Sequence, residues 1–177
     1  MLKVVVFPFK WIIRRFRGKP NTVKTLLLTL ISFLALNSYA QNVYIPDANF
    51  KAYLVGNNLI NTNGDTEIQV SEAVAFTGTI TCGRGVRSNA TSITDLTGIE
   101  AFTALTYLYC YNNKLTSLDV TQNTALTYLD CSTNKLTSLD VTQNTALTYL
   151  YCRENHQLSC VKGVPTDCSI SGSTRCE

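Results

Sequence analysis

The sequence predicts a mainly β solenoid of about three to four coils, carrying a small helical cap at its N-terminal end. Three observations carry that expectation. Sixteen residues, KLTSLDVTQNTALTYL, stand at Lys114–Leu129 and again, unchanged, at Lys135–Leu150, a period of 21. Leucines recur at fixed offsets within the period, as they must where stacked turns share one apolar core. Each period also holds a short run, Tyr107-Leu108-Tyr109, Tyr128-Leu129-Asp130 or Tyr149-Leu150-Tyr151. On a strand such a run turns its middle side chain to one face and its outer two to the other.

In chain order, residues 1–40 read as a signal peptide. They hold seven of the 15 Lys and Arg and no Asp or Glu, and an apolar run at Leu26–Leu36 precedes the small residues of Ser38-Tyr39-Ala40. Cleavage is expected between Ala40 and Gln41. The apolar run falls short of the roughly 20 residues that a membrane-spanning helix needs, so no stable span is expected after cleavage. The predicted location is outside the cell, or the periplasm of a Gram-negative bacterium. From Gln41 onward there are 8 basic and 12 acidic residues, 8 − 12 = −4. That balance leaves no footprint for nucleic acid.

Residues 41–78 are expected to close the open end of the solenoid, whose first core layer would otherwise face water. Asp47 is placed to cap a helix with Phe50, Tyr53 and Leu54 on one face, and Ser71 to cap a second short helix. Between them, Asn61 to Glu72 has the layout of an EF-hand loop, with Asn61, Asn63, Asp65, Glu67 and Glu72 as the oxygen ligands of a calcium ion. Asn61 stands where Asp is usual, and Thr66 where Gly allows the sharp turn. A polar turn between two cap helices, with Glu72 in the first turn of the second, explains the same residues. Calcium is the one cofactor the sequence suggests; the binding function below needs none.

The coils are expected over residues 79–161. Aligned on cysteine, they read Ile80…Cys82, Leu105…Leu108…Cys110…Asn113…Leu115, Leu126…Leu129…Cys131…Asn134…Leu136 and Leu147…Leu150…Cys152…Asn155. These offsets resemble the leucine-rich-repeat signature with Cys in its third apolar place. With Ile45–Leu54 and Leu96–Leu105 preceding the repeats, the chain from Gln41 resembles secreted bacterial leucine-rich-repeat proteins, internalin-like in broad type. The asparagines are expected to stack as a ladder that satisfies backbone groups at the turns. Leu118-Asp119-Val120 and its copy are expected to form a second, returning strand. Arg84 and Arg87 fall in an extra loop after Cys82, and His156 or Gln157 in a bulge that ends the array.

Residues 162–177 form a cysteine-containing tail. Cys82, Cys110, Cys131 and Cys152 occupy equivalent places. Neighbouring strands lie about 4.7–4.9 Å apart, wider than the ~3.8 Å between Cβ atoms that a disulfide prefers. They are therefore expected to be buried thiols. One disulfide is expected among Cys160, Cys168 and Cys176, with the pairing left open. Their spacing does not suit zinc, whose ligands usually pair two to four residues apart.

No catalytic constellation is visible, so the chain is expected not to be an enzyme. The candidate site is the outward face of the first strand of each coil: Tyr107, Tyr109, Tyr111, Tyr128, Asp130, Tyr149, Tyr151 and Arg153. Tyrosine offers rigid contact area and a hydroxyl. The family resemblance implies a protein or a glycan at a cell surface as the ligand. The alternatives are a structural solenoid or the remnant of a larger surface adhesin, consistent with a chain that ends at Glu177 without a sorting domain, and a small calcium-binding secreted protein.

Overall fold

The computed structural model describes residues 41–83, 92–172 and 174–175. The signal peptide expected at 1–40, the loop holding Arg84 and Arg87, and Cys176 lie outside the described residues. The elements are α1 (Ala48–Val55), α2 (Val70–Ala75), β1 (Thr79–Thr81), a 3-10 turn (Ile99–Ala101), β2 (Tyr107–Tyr109), β3 (Tyr128–Asp130), β4 (Tyr149–Tyr151), β5 (Cys160–Val161), β6 (Ser169–Ser171) and β7 (Thr174–Arg175). β1, β2, β3, β4 and β6 form one parallel sheet in that order, and β5 pairs with β7. The architecture is a mainly β parallel solenoid, about three leucine-bearing turns long, with a small helical region at its N-terminal end.

In the helical segment Asp47 works in two directions. One carboxylate oxygen caps α1, accepting from the Asn49 and Phe50 N–H groups at 2.9 and 3.0 Å. The other accepts from the Thr94 N–H and hydroxyl at 2.8 and 2.9 Å, which ties the helix to the coils across 47 residues of sequence. Burial alone would raise the Asp47 pKa, but these hydrogen bonds outweigh it and hold the group below its ordinary value. Phe50 and Leu54 are fully buried. The second helix starts earlier than Ser71. Its N-cap is Gln69, whose N–H is accepted by Glu72 three residues on at 3.0 Å, as in a capping box.

The inward positions of the coils fall where the leucine pattern puts them. Leu108, Leu129 and Leu150 pair in register across β2, β3 and β4 and are fully buried. Cys82, Cys110, Cys131 and Cys152 are buried free thiols behind them. Burial pushes the Cys82 thiol up to about 12 and Cys152 to about 11, so they behave as small apolar groups. Cys160 is disulfide-bonded, whereas Cys168 is a free, buried thiol.

Asn113, Asn134 and Asn155 form the expected ladder. Each amide nitrogen donates to the cysteine carbonyl of its own coil and of the coil before, at 2.9–3.1 Å. Each amide oxygen accepts a backbone N–H of the preceding coil, from Ile93, Leu115 and Leu136, at 3.0 Å. A second ladder stands on the opposite side. The fully buried Asn123 donates to the Ile99 and Phe102 carbonyls, and Asn144 to those of Val120 and Asn123, at 2.8–2.9 Å.

The return path differs from the expected second strand. Leu118-Asp119-Val120 and its copy form no strand; an isolated bridge joins Asp140 to Lys162. The aspartates turn the chain instead. Asp95, Asp119 and Asp140 each accept from both the N–H and the hydroxyl of the threonine two residues on. This local turn competes with extended pairing, so alternation of side chains alone did not make a sheet.

One corner residue per coil has a positive φ: Asn112 (54°), Thr133 (53°) and Glu154 (56°). Asparagine tolerates this left-handed region, but a β-branched threonine is strained there. Thr133→Asn is therefore expected to stabilise the protein by about 1 kcal/mol, read as a rise in the midpoint of urea unfolding. An unchanged midpoint would mean that the corner carries no strain.

Candidate functional site

The strand register arranges the outward residues of the five-stranded sheet in two rows. One runs Thr79, Tyr107, Tyr128, Tyr149, Ser169; the other runs Thr81, Tyr109, Asp130, Tyr151, Ser171. Tyr107 and Tyr149 are 42% and 49% exposed, and Tyr109, Tyr128, Asp130 and Tyr151 are half-buried. The expected rows thus exist, but the rings do not simply stack along them. Asp130 is short, and the ring of Tyr128 comes close to both tyrosines that flank it. The Tyr128 ring centroid lies 6.1 Å from Tyr107, 4.9 Å from Tyr109, 5.9 Å from Tyr149 and 5.5 Å from Tyr151. These separations suit favourable aromatic pairing. Tyr128 is the hub of the face.

Burial, the neighbouring Tyr109 and Tyr151, and the Asp130 carboxylate all push the Tyr128 hydroxyl pKa up. Asp130 is oriented by the residue that follows its coil's cysteine: it accepts from the Ser132 N–H at 3.0 Å and from the Ser132 hydroxyl. Tyr111 and Arg153 do not join the ring cluster. The Tyr111 ring lies against Gly83, close enough that a Cβ there would sit 2.7 Å from it, and Arg153 is exposed one row further on. The sequence places the first coil at Ile80…Cys82, and β1 lies there; the strand at the other end, Ser169–Ser171, was missed, since no leucine marks it.

The loop expected to hold calcium brings Asn61, Asn63, Asp65 and Glu72 into one turn and sends Glu67 elsewhere, to Lys51 at 2.6 Å. Glu72 accepts from the Thr62 and Asn63 N–H groups at 2.8 and 3.2 Å, besides its reach to Gln69. Asp65 accepts from the Glu67 N–H at 2.7 Å and from the side-chain amides of Asn63 and Gln69 at 3.0 Å. Asn61 turns its amide nitrogen to the Val55 and Asp65 carbonyls. The left-handed position is taken by Gly64. Both carboxylates are thus held by donors within the turn itself, as in a polar turn between two helices. Those hydrogen bonds also lower the Glu72 pKa, although burial works against them.

Among the described residues there is no group of three or more His, Cys, Asp and Glu that could hold a metal ion. Nor is any described helix long and apolar enough to cross a membrane.

No family model matches the sequence, and no curated protein does. Solved structures do match, among them two internalins. The functional domain of InlJ from Listeria monocytogenes, described as including a cysteine ladder, is 40% identical over 64% of this chain, with a TM-score of 0.50. The solenoid is internalin-like. A second match, the internalin InlF from Listeria monocytogenes str. 4b F2365, is 20% identical over 72% of this chain, also with a TM-score of 0.50, and speaks for the fold alone. The chain spans 26% of the InlJ structure and 38% of the InlF structure.

Proposed function

We propose that the protein is a non-enzymatic binding module, secreted or held at the cell surface, whose tyrosine face takes a protein or glycan ligand. One observation carries the reading: four tyrosines gather around Tyr128 on the outward face of a sheet whose other face is core. Tyrosines on a rigid backbone lose little freedom on binding and supply both apolar area and hydroxyls. The likeness to InlJ and the export signal expected in residues 1–40 support a place outside the cell. The ring contacts also support a purely structural reading, in which the tyrosines only brace neighbouring strands.

The triple replacement of Tyr109, Tyr128 and Tyr151 by serine separates the two. For a ligand found by glycan array or pull-down, the binding reading expects affinity to fall by about thirtyfold or more, the size of a hot-spot loss of 2 kcal/mol. Circular dichroism should remain that of the parent protein. Full affinity in the variant would leave the structural reading in possession.

A further inference from the structure

We propose that this face recognises a guanidinium group, the side chain of an arginine presented by a protein partner, seated on the rings beside Asp130. The inference rests on the binding reading above and narrows it to one ligand chemistry.

Asp130 is the lone charged side chain in the two central rows, which otherwise hold tyrosine, threonine and serine. It stands between Tyr109 and Tyr151 in its own row, with Tyr128 against both of them at 4.9 and 5.5 Å. Among the described residues no ion pair joins it, and the exposed Arg153 nearby makes none with it. The face of a tyrosine ring is electronegative, so several rings around one carboxylate favour a cation and repel an anion. The raised hydroxyl pKa of Tyr128, due to burial and then to Tyr109, Tyr151 and Asp130, reports the same resistance to further negative charge. A phosphorylated, sulfated or carboxylated ligand is thereby disfavoured.

A neutral sugar could stack on the rings and donate a hydroxyl to Asp130, but it would cover the carboxylate without matching its charge, which a cation does. A guanidinium meets both demands. Its plane stacks on a ring while its N–H groups reach a carboxylate, which a compact ammonium does less well.

The test is a titration of the purified protein with N-acetyl-arginine amide and with its uncharged analogue N-acetyl-citrulline amide, following the tyrosine ring protons by NMR. The arginine compound should shift the Tyr109, Tyr128 and Tyr151 signals, and the citrulline compound should bind at least about tenfold more weakly. Asp130→Asn retains an acceptor for Ser132 and should keep the unfolding temperature, yet lose about tenfold in arginine affinity. Equal binding of the two compounds would overturn the assignment. So would a neutral oligosaccharide that shifts the same rings alike in the parent and in Asp130→Asn. Silence of the rings towards arginine, with ligand capture still abolished by the triple serine variant, would remove the guanidinium and leave the binding reading standing. Silence together with undiminished capture would remove both.

Discussion

Leu129→Ala is expected to destabilise the protein by about 2–5 kcal/mol, the range for emptying a buried leucine site. Leu129 is fully buried and sits in register between Leu108 and Leu150. Collapse around the void is limited there, because each strand is held to both neighbours by parallel pairing. Urea unfolding should show a lower midpoint with an unchanged slope. Leu129→Met, which conserves volume, should cost less than about 1.5 kcal/mol. A near-neutral alanine variant would contradict the inward register on which the tyrosine rows depend.

Asn134→Ala should cost about 3 kcal/mol or more, a large effect for a polar residue. The side chain serves the Cys110, Cys131 and Ser132 carbonyls and the Leu115 N–H, all within 3.2 Å. Each buried group left without a partner costs about 1–3 kcal/mol. Asn134→Asp gives a sharper reading. Its carboxyl would face those carbonyls in a buried site, so its folded pKa would rise above the unfolded value of about 3.9. The loss should be smallest in acid and should grow as pH rises past that value. A loss that does not depend on pH would mean that water reaches the site.

Much of this was legible because a solenoid writes its core one coil at a time. The offsets of Leu129, Cys131 and Asn134 from their counterparts one period away fixed the inward face, the thiol file and the first ladder. The second ladder was equally periodic, Asn123 against Asn144, but the period alone does not tell a buried asparagine from an exposed turn residue. Their burial goes with amide bonds to the Ile99, Phe102 and Val120 carbonyls, a spatial arrangement that the sequence does not display.

The returning segment failed for a related reason. Leucine, aspartate and valine alternate there as in a strand, yet the side-chain turn from Asp119 to Thr121 takes precedence. The tyrosine rows were visible as positions. That Tyr128 would meet four other rings was not, because it depends on side-chain rotamers and on the space left by a short Asp130. The strand Ser169–Ser171 has a single apolar residue, Ile170, opposite Leu150, and so no signature to find.

The duplicated stretch has a consequence for how such a chain can change. Removing residues 114–134 would join Asn113 to Lys135 in phase, since Lys135 opens the same sixteen residues as Lys114. One coil would go, with its corner Thr133 and its ladder residues Asn123 and Asn134, while the remaining coils keep theirs in phase; the excised block also carries Tyr128 and Asp130. A recombination slip between the two copies would thus subtract or multiply the acidic centre of the aromatic surface while sparing the scaffold, making its charge and breadth adjustable in single steps.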